Sequence, residues 1–178
     1  MNDASIGGYF MHARGGLLTE YMGEEWFANV DAACDEGEKL GMRSWAYDEN
    51  GWPSGFADGI ILKMGEDYQL KTLVYTPSSE FSGNRNHVLL EKDGYTYYYE
   101  VNELYVDLLN PAVTDAFIEN VHEVYKDKCG ERIEGFFTDE PQLLRTPGFP
   151  YSIITLSEFE KRYGYGLREN IPALFFEL

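Results

Sequence analysis

Residues 43–55, Arg43-Ser-Trp-Ala-Tyr-Asp-Glu-Asn-Gly-Trp-Pro-Ser-Gly55, carry a short strand that runs directly into a loop. The first five residues are typical of a buried strand, and the residues from Asp48 onward are typical of turns and loops. The pattern returns in Ile133-Glu-Gly-Phe-Phe-Thr138, which is followed by Asp139-Glu140-Pro141. Two strands that each run into an Asp-Glu pair indicate a fold built from repeated units of strand and loop.

Helical spacing separates these strands from their neighbours. Helices are predicted from about Glu24 to Leu40, from the Asn110-Pro111 cap to about Lys128, and from the Ser157–Glu160 capping box onward. Strands that alternate with helices predict a parallel α/β sheet. The four predicted strands of that sheet are Ile6–Ala13, Arg43–Tyr47, Leu104–Leu109 and Ile133–Thr138.

The segment at about 58–103 has a different pattern, with alternating residues and an Asp93-Gly94 turn typical of antiparallel hairpins. We interpret it as a β-rich insertion after the second strand. The remainder is about half of the roughly 250 residues of a closed (β/α)8 barrel. The fold prediction is therefore α/β, with residues 1–178 forming one partial TIM (β/α)8 barrel of about four β/α units plus this insertion.

Composition excludes several classes of partner. The formal net charge is −17, so binding to nucleic acid or to an anionic membrane surface is not expected. No apolar run is long enough to span a bilayer, and the polar start at Met1–Ser5 does not predict a signal peptide. The chain as written is thus expected to be cytoplasmic unless a longer parent protein is exported. Cys34 and Cys129 are expected to be free thiols.

The two Asp-Glu pairs are the leading candidates for functional-site residues. In parallel α/β folds ligands bind at the carboxyl ends of the strands, so Asp48, Glu49, Asp139 and Glu140 are expected at one edge. Crowded carboxylates raise each other's pKa, which supplies a general acid beside an ionised partner. We predict Glu140 and Glu49 as catalytic residues and Asp48 and Asp139 as substrate-binding residues. The alternative is that these acids only populate loops of an acidic protein.

Three more residues are predicted to bind substrate at the same edge. His12 and Arg14 follow the first strand, and Trp52 lies in the loop after the second. A tryptophan there suits stacking on a sugar ring. The alternatives are a histidine capped in the core, an arginine at the surface and a tryptophan folded back over the sheet. The Phe136-Phe137 pair also predicts partly apolar surroundings for Glu140.

Four stretches, in this order, resemble the catalytic barrel of bacterial glycoside hydrolases related to family 106, the α-L-rhamnosidase-like group. They are Gly7–Arg14, Gly23–Trp26, Trp45–Phe56 and Phe137–Pro141. The resemblance implies a (β/α)8 barrel that hydrolyses glycosidic bonds in plant or bacterial poly- or oligosaccharides, with Glu49 and Glu140 as the carboxylate pair. It implies a possible calcium cofactor, assigned to no residue here. Members of the group are several times longer, so the chain is expected to be the N-terminal half of such a barrel.

Two other functions remain open on sequence alone. One is a metal-dependent lyase or isomerase that uses the Asp-Glu pairs as cation ligands. The other is a non-catalytic carbohydrate-binding or assembly fragment that forms a homo-oligomer through its open sheet edges. No metal motif is present, because His12, His87 and His122 are too far apart in sequence to form a local ligand pair.

Overall fold

The computed structural model describes residues 2–176 and is of the α/β class, with two sheets. Its strands are β1 (Gly8–Ala13), β2 (Arg43–Asn50), β3 (Gln69–Pro77), β4 (Val88–Lys92), β5 (Tyr95–Val106), β6 (Ile133–Phe137) and β7 (Phe149–Tyr151). Its helices are α1 (Glu24–Lys39), α2 (Pro111–Phe117), α3 (Glu123–Cys129) and α4 (Thr155–Tyr163), with a π-helical turn at Ile118–His122 between α2 and α3. The chain divides into two compact units, one formed by residues up to 63 and 112–141, the other by 64–111 and from 142 onward.

The first unit contains a parallel sheet in the order β1-β2-β6. Helix α1 packs closely on it because Gly37 has no side chain. A Cβ atom there would lie 2.5 Å from the Tyr9 hydroxyl, which donates a hydrogen bond to the Ala33 carbonyl. Trp26 Nε1 donates to the Tyr125 hydroxyl at 3.0 Å and so links α1 to α3. The predicted bounds of α1 and the start of α2 at Pro111 are confirmed.

The predicted third strand of the parallel sheet, Leu104–Leu109, is wrong. Residues 104–106 are the end of β5, which pairs antiparallel with β3 from Pro77↔Tyr95 to Gln69↔Val106. Within residues 2–176 the parallel sheet therefore has three strands instead of four, and it is open. An apolar strand signal is local and does not identify its pairing partner, which explains the error.

The second unit contains an antiparallel sheet in the order β4-β5-β3-β7. The β4–β5 hairpin turns at Asp93 and Gly94, whose φ angles are 52° and 81°, as the turn signal predicts. This sheet extends beyond the predicted 58–103 segment because β7 pairs with β3. That residues 1–178 form one domain with an insertion at about 58–103 stays a prediction. Helix α4 begins two residues before the predicted Ser157.

The core of this second unit contains Leu73, Tyr97, Tyr151, Leu167 and Ile171. In the first unit Cys34 and Cys129 are free and buried, as expected. Burial raises the pKa of the Cys129 thiol to about 11 and also raises that of Cys34. Among the described helices, none is both long and apolar enough to cross a bilayer.

Candidate active site

The carboxyl ends of β1, β2 and β6 meet at one edge of the parallel sheet, as the sequence predicts. Arg14, which follows β1, lies with its Nη2 atom 3.7 Å from Oδ2 of Asp139, which follows β6. The hydroxyl of Tyr47 in β2 lies 3.4 Å from the same carboxylate oxygen. Residues from the ends of β1 and β2 therefore lie beside Asp139, whose side chain is 18% exposed.

Tyr47 contacts several of the side chains at this edge of the sheet. It is fully buried, and its hydroxyl donates to the Gly51 carbonyl at 2.7 Å. The Arg14 guanidinium lies 5.6 Å from the centroid of its ring, and the His12 ring meets it edge-on at 3.8 Å. His12, Arg14 and Asp139 thus form one cluster around a buried tyrosine.

Burial, followed by the charges of this cluster, determines the direction in which the pKa of His12 shifts. Desolvation lowers the pKa of His12 below its ordinary value, the Arg14 charge lowers it further, and Asp139 opposes the change. His12 is itself exposed, so its neutral imidazole is available to a ligand at neutral pH.

Asp48 is buried, and its carboxylate contacts groups from the sheet, the following loop and the π-helical turn. Its Oδ1 atom accepts a hydrogen bond from Ser54 Oγ at 2.6 Å, and its Oδ2 atom accepts one from Thr138 Oγ1 at 2.6 Å. His122 Nε2 lies 3.2 Å from Oδ2. With 0% exposure, this carboxylate is placed to hold its neighbours. Substrate binding by Asp48 stays a prediction.

Glu49 is also fully buried, and both of its carboxylate oxygens are occupied. Oε1 accepts from the backbone N–H groups of Asn50 and Asp58 at 2.9 and 2.7 Å. Oε2 accepts from those of Gly55, Phe56 and Ala57 at 3.2, 3.0 and 2.7 Å. Burial raises the pKa of Glu49, while these N–H groups favour its charged form. Glu49 therefore organises the loop at residues 50–58, and its catalytic role stays a prediction.

Glu140 is exposed at the same edge, and partly apolar surroundings for its side chain stay a prediction. Strand β6 ends at Phe137, and the chain turns at Glu140, whose φ of 40° lies in the left-handed region. A non-glycine residue in that region is strained by roughly 1–2 kcal/mol. Such strain is concentrated at functional sites, where the surrounding structure maintains it.

Trp52 lies in loop 50–58, which Glu49 holds, and 40% of its surface is exposed. Part of its side chain is therefore accessible to solvent in the loop that follows β2. Substrate binding by Trp52, His12 and Arg14 stays a prediction.

Sequence reasoning missed four residues that organise this edge, namely Tyr47, Ser54, His122 and Thr138. Tyr47 and Thr138 adjoin the Asp-Glu pairs, so their position in the sequence was an available signal. His122 carried no such signal, because it does not adjoin either Asp-Glu pair in the sequence. It lies in the π-helical turn at Ile118–His122. There its ring stacks on Phe136 at 4.3 Å, and an extra residue per turn changes which side chains face the sheet.

The described residues do not fit a resident cation. Across residues 2–176, no three His, Cys, Asp or Glu side chains form a group that could hold a metal ion. The oxygens of Asp48 and Glu49 are committed to protein donors. Calcium therefore stays an expectation from the resemblance. No family model matches the chain, and comparison with curated proteins and with solved structures gives no match either.

Proposed function

We propose that this chain is part of the catalytic (β/α)8 barrel of a glycoside hydrolase of the α-L-rhamnosidase-like group. The observation that carries the proposal is the Asp139-Glu140 pair at the carboxyl edge of the parallel sheet. Asp139 is partly exposed beside Arg14 and Tyr47, and Glu140 is exposed on a strained backbone. Barrel enzymes place their reacting groups at that edge.

Hydrolysis of a glycosidic bond needs one carboxylic acid to protonate the leaving oxygen and a second carboxylate. The second carboxylate either activates the water that attacks the anomeric carbon or attacks that carbon itself, in which case water then hydrolyses the glycosyl-enzyme. We assign the proton donor to Glu140, which solvent and substrate can reach. We assign the second carboxylate to Asp139 in preference to Glu49, because both oxygens of Glu49 are buried against backbone N–H groups. Arg14 pairs with Asp139 and orients it, and Tyr47 lies beside it.

The remaining groups at this edge suit a saccharide. Trp52 presents an aromatic face on which the apolar side of a sugar ring can stack. His12, neutral because its pKa is lowered, can accept or donate a hydrogen bond to a ring hydroxyl. Arg14 is 51% exposed and can donate to hydroxyl oxygens while it pairs with Asp139.

The test compares the wild-type chain with Glu140→Gln on two kinds of glycoside. With an alkyl α-L-rhamnoside, whose leaving group needs a proton, the variant should lose about 10²–10⁴-fold in kcat. With a 4-nitrophenyl α-L-rhamnoside, whose leaving group hardly needs one, the loss should be much smaller. Glu134→Gln is the matched control, because Glu134 is also an exposed glutamate of the β6 segment but lies in the amino-terminal half of that strand.

Binding supplies a second measurement. Saturable quenching of tryptophan fluorescence by the alkyl rhamnoside should be retained in Glu140→Gln and weakened in Trp52→Ala. If the wild-type chain neither hydrolyses any glycoside of a broad panel nor binds one, the proposal is rejected. Binding without hydrolysis would instead support a carbohydrate-binding module.

A further inference from the structure

Ser54 holds the main chain of Asp139 on both sides. The backbone N–H of Asp139 donates to Ser54 Oγ at 2.9 Å, and the Ser54 N–H donates to the Asp139 carbonyl at 2.9 Å. That carbonyl belongs to the peptide unit that joins Asp139 to Glu140. Ser54 therefore fixes the orientation of the peptide plane that leads into Glu140.

Asp48 in turn fixes Ser54 and the residue before Asp139. Its two oxygens accept from Ser54 Oγ and Thr138 Oγ1, each at 2.6 Å. Because Asp48 and Ser54 are 0% and 1% exposed, water does not compete for the bond between them.

The strained backbone of Glu140 explains why such an arrangement is needed. A free chain would relax a φ of 40° to the ordinary negative region, which would redirect the Glu140 side chain. A strained residue persists only where its neighbours over-determine it. The bonds from Ser54 and Asp48 fix the peptide plane before Glu140, which is one of the two planes whose relative rotation defines this φ.

We propose that Asp48, Ser54 and Thr138, together the Asp48 clamp, are positioning residues that hold Asp139 and Glu140 in their working geometry. The clamp acts through the backbone and does not touch substrate. Its consequence for catalysis rests on the proposed function, whereas its effect on the position of Asp139 does not.

Thr138→Val tests the clamp with little change in shape. Valine removes the hydroxyl that binds Asp48 but leaves the bond between the Asp139 N–H and Ser54 Oγ in place. If the clamp acts as a unit, amide hydrogen exchange at Asp139 should accelerate by about tenfold, and Thr138→Ser should restore it. Thr114→Val, at an exposed position of α2, is the matched control and should leave this exchange unchanged.

The His12 titration supplies a readout that a general loss of stability would not move. Asp139 raises the pKa of His12, so displacement of its carboxylate in Thr138→Val should lower the pKa measured by NMR. Asp139→Asn gives the full size of that effect for comparison. Unchanged Asp139 exchange together with an unchanged His12 titration would overturn the clamp, whether or not the chain is an enzyme.

Activity then separates the two proposals. On the alkyl rhamnoside, Thr138→Val should lower kcat by about tenfold with a much smaller change in KM, and Thr138→Ser should recover it. A wild-type kcat in Thr138→Val, despite altered exchange, would overturn the positioning role in catalysis. If the wild-type chain hydrolyses and binds no glycoside, the proposed function fails, and the exchange and titration results still decide the clamp.

Discussion

Glu49→Gln is the substitution whose cost follows most directly from the geometry. Glutamine keeps the shape of glutamate but replaces one acceptor oxygen with an NH2 donor. Its less costly orientation puts that group at the Oε1 position, where it faces the N–H groups of Asn50 and Asp58. Both of those bonds are lost, while the three to Oε2 remain with a neutral acceptor.

Hydrogen bonds to a charged group contribute about 1.5–3 kcal/mol each, so the two lost bonds correspond to about 3–6 kcal/mol. Removing a buried charge offsets part of this cost, since burial raises the pKa of Glu49 and so disfavours the carboxylate. We therefore expect a net loss near the lower end, about 3 kcal/mol in the free energy of unfolding. For a chain of this size that loss lowers Tm by about 6–12 °C.

The assay is thermal and urea unfolding of the wild type, Glu49→Gln and Glu38→Gln, followed by circular dichroism. Glu38 is an exposed residue of α1, so its substitution should stay within about 0.5 kcal/mol of the wild type. If Glu49→Gln unfolds with the same midpoint as this control, the predicted loss of stability is refuted. That result would mean that the five backbone bonds to Glu49 add nothing to stability.

Three further predictions concern single groups. Glu140→Gly should have a free energy of unfolding in urea equal to that of the wild type or up to about 1 kcal/mol higher, because glycine removes the strain at φ 40°. A clear destabilisation would contradict that strain. Arg14→Gln should raise the pKa of His12 in an NMR titration, since Arg14 lowers it. Because the folded-state pKa of His12 lies below 6.5, its contribution to stability is present above pH 6.5 and is lost as the pH falls through that folded-state pKa. Cys34 and Cys129 should react slowly with an aromatic disulfide reagent until the chain unfolds, because burial raises both pKa values; rapid reaction of the native chain would refute this.

The strands of the first unit could be predicted from the sequence, although β2 continues to Asn50, beyond the predicted end at Tyr47. Helical periodicity identified α1, and the apolar runs that pass directly into Asp48-Glu49 and Asp139-Glu140 identified β2 and β6. These signals are local, since each depends on residues a few positions apart. The convergence at one edge followed from geometry, because parallel strands bring their carboxyl ends together.

Only the tertiary structure decided which strands pair and what each carboxylate meets. Residues 104–106 carry a strand signal, yet their partner is β3 in the antiparallel sheet. Glu49 and Glu140 each follow an aspartate near a strand end, yet one is buried and the other exposed. The difference arises because loop 50–58 folds its N–H groups onto Glu49, whereas the side chain of Glu140 remains exposed. Strand pairing and burial depend on groups distant in sequence, so local patterns could not predict them.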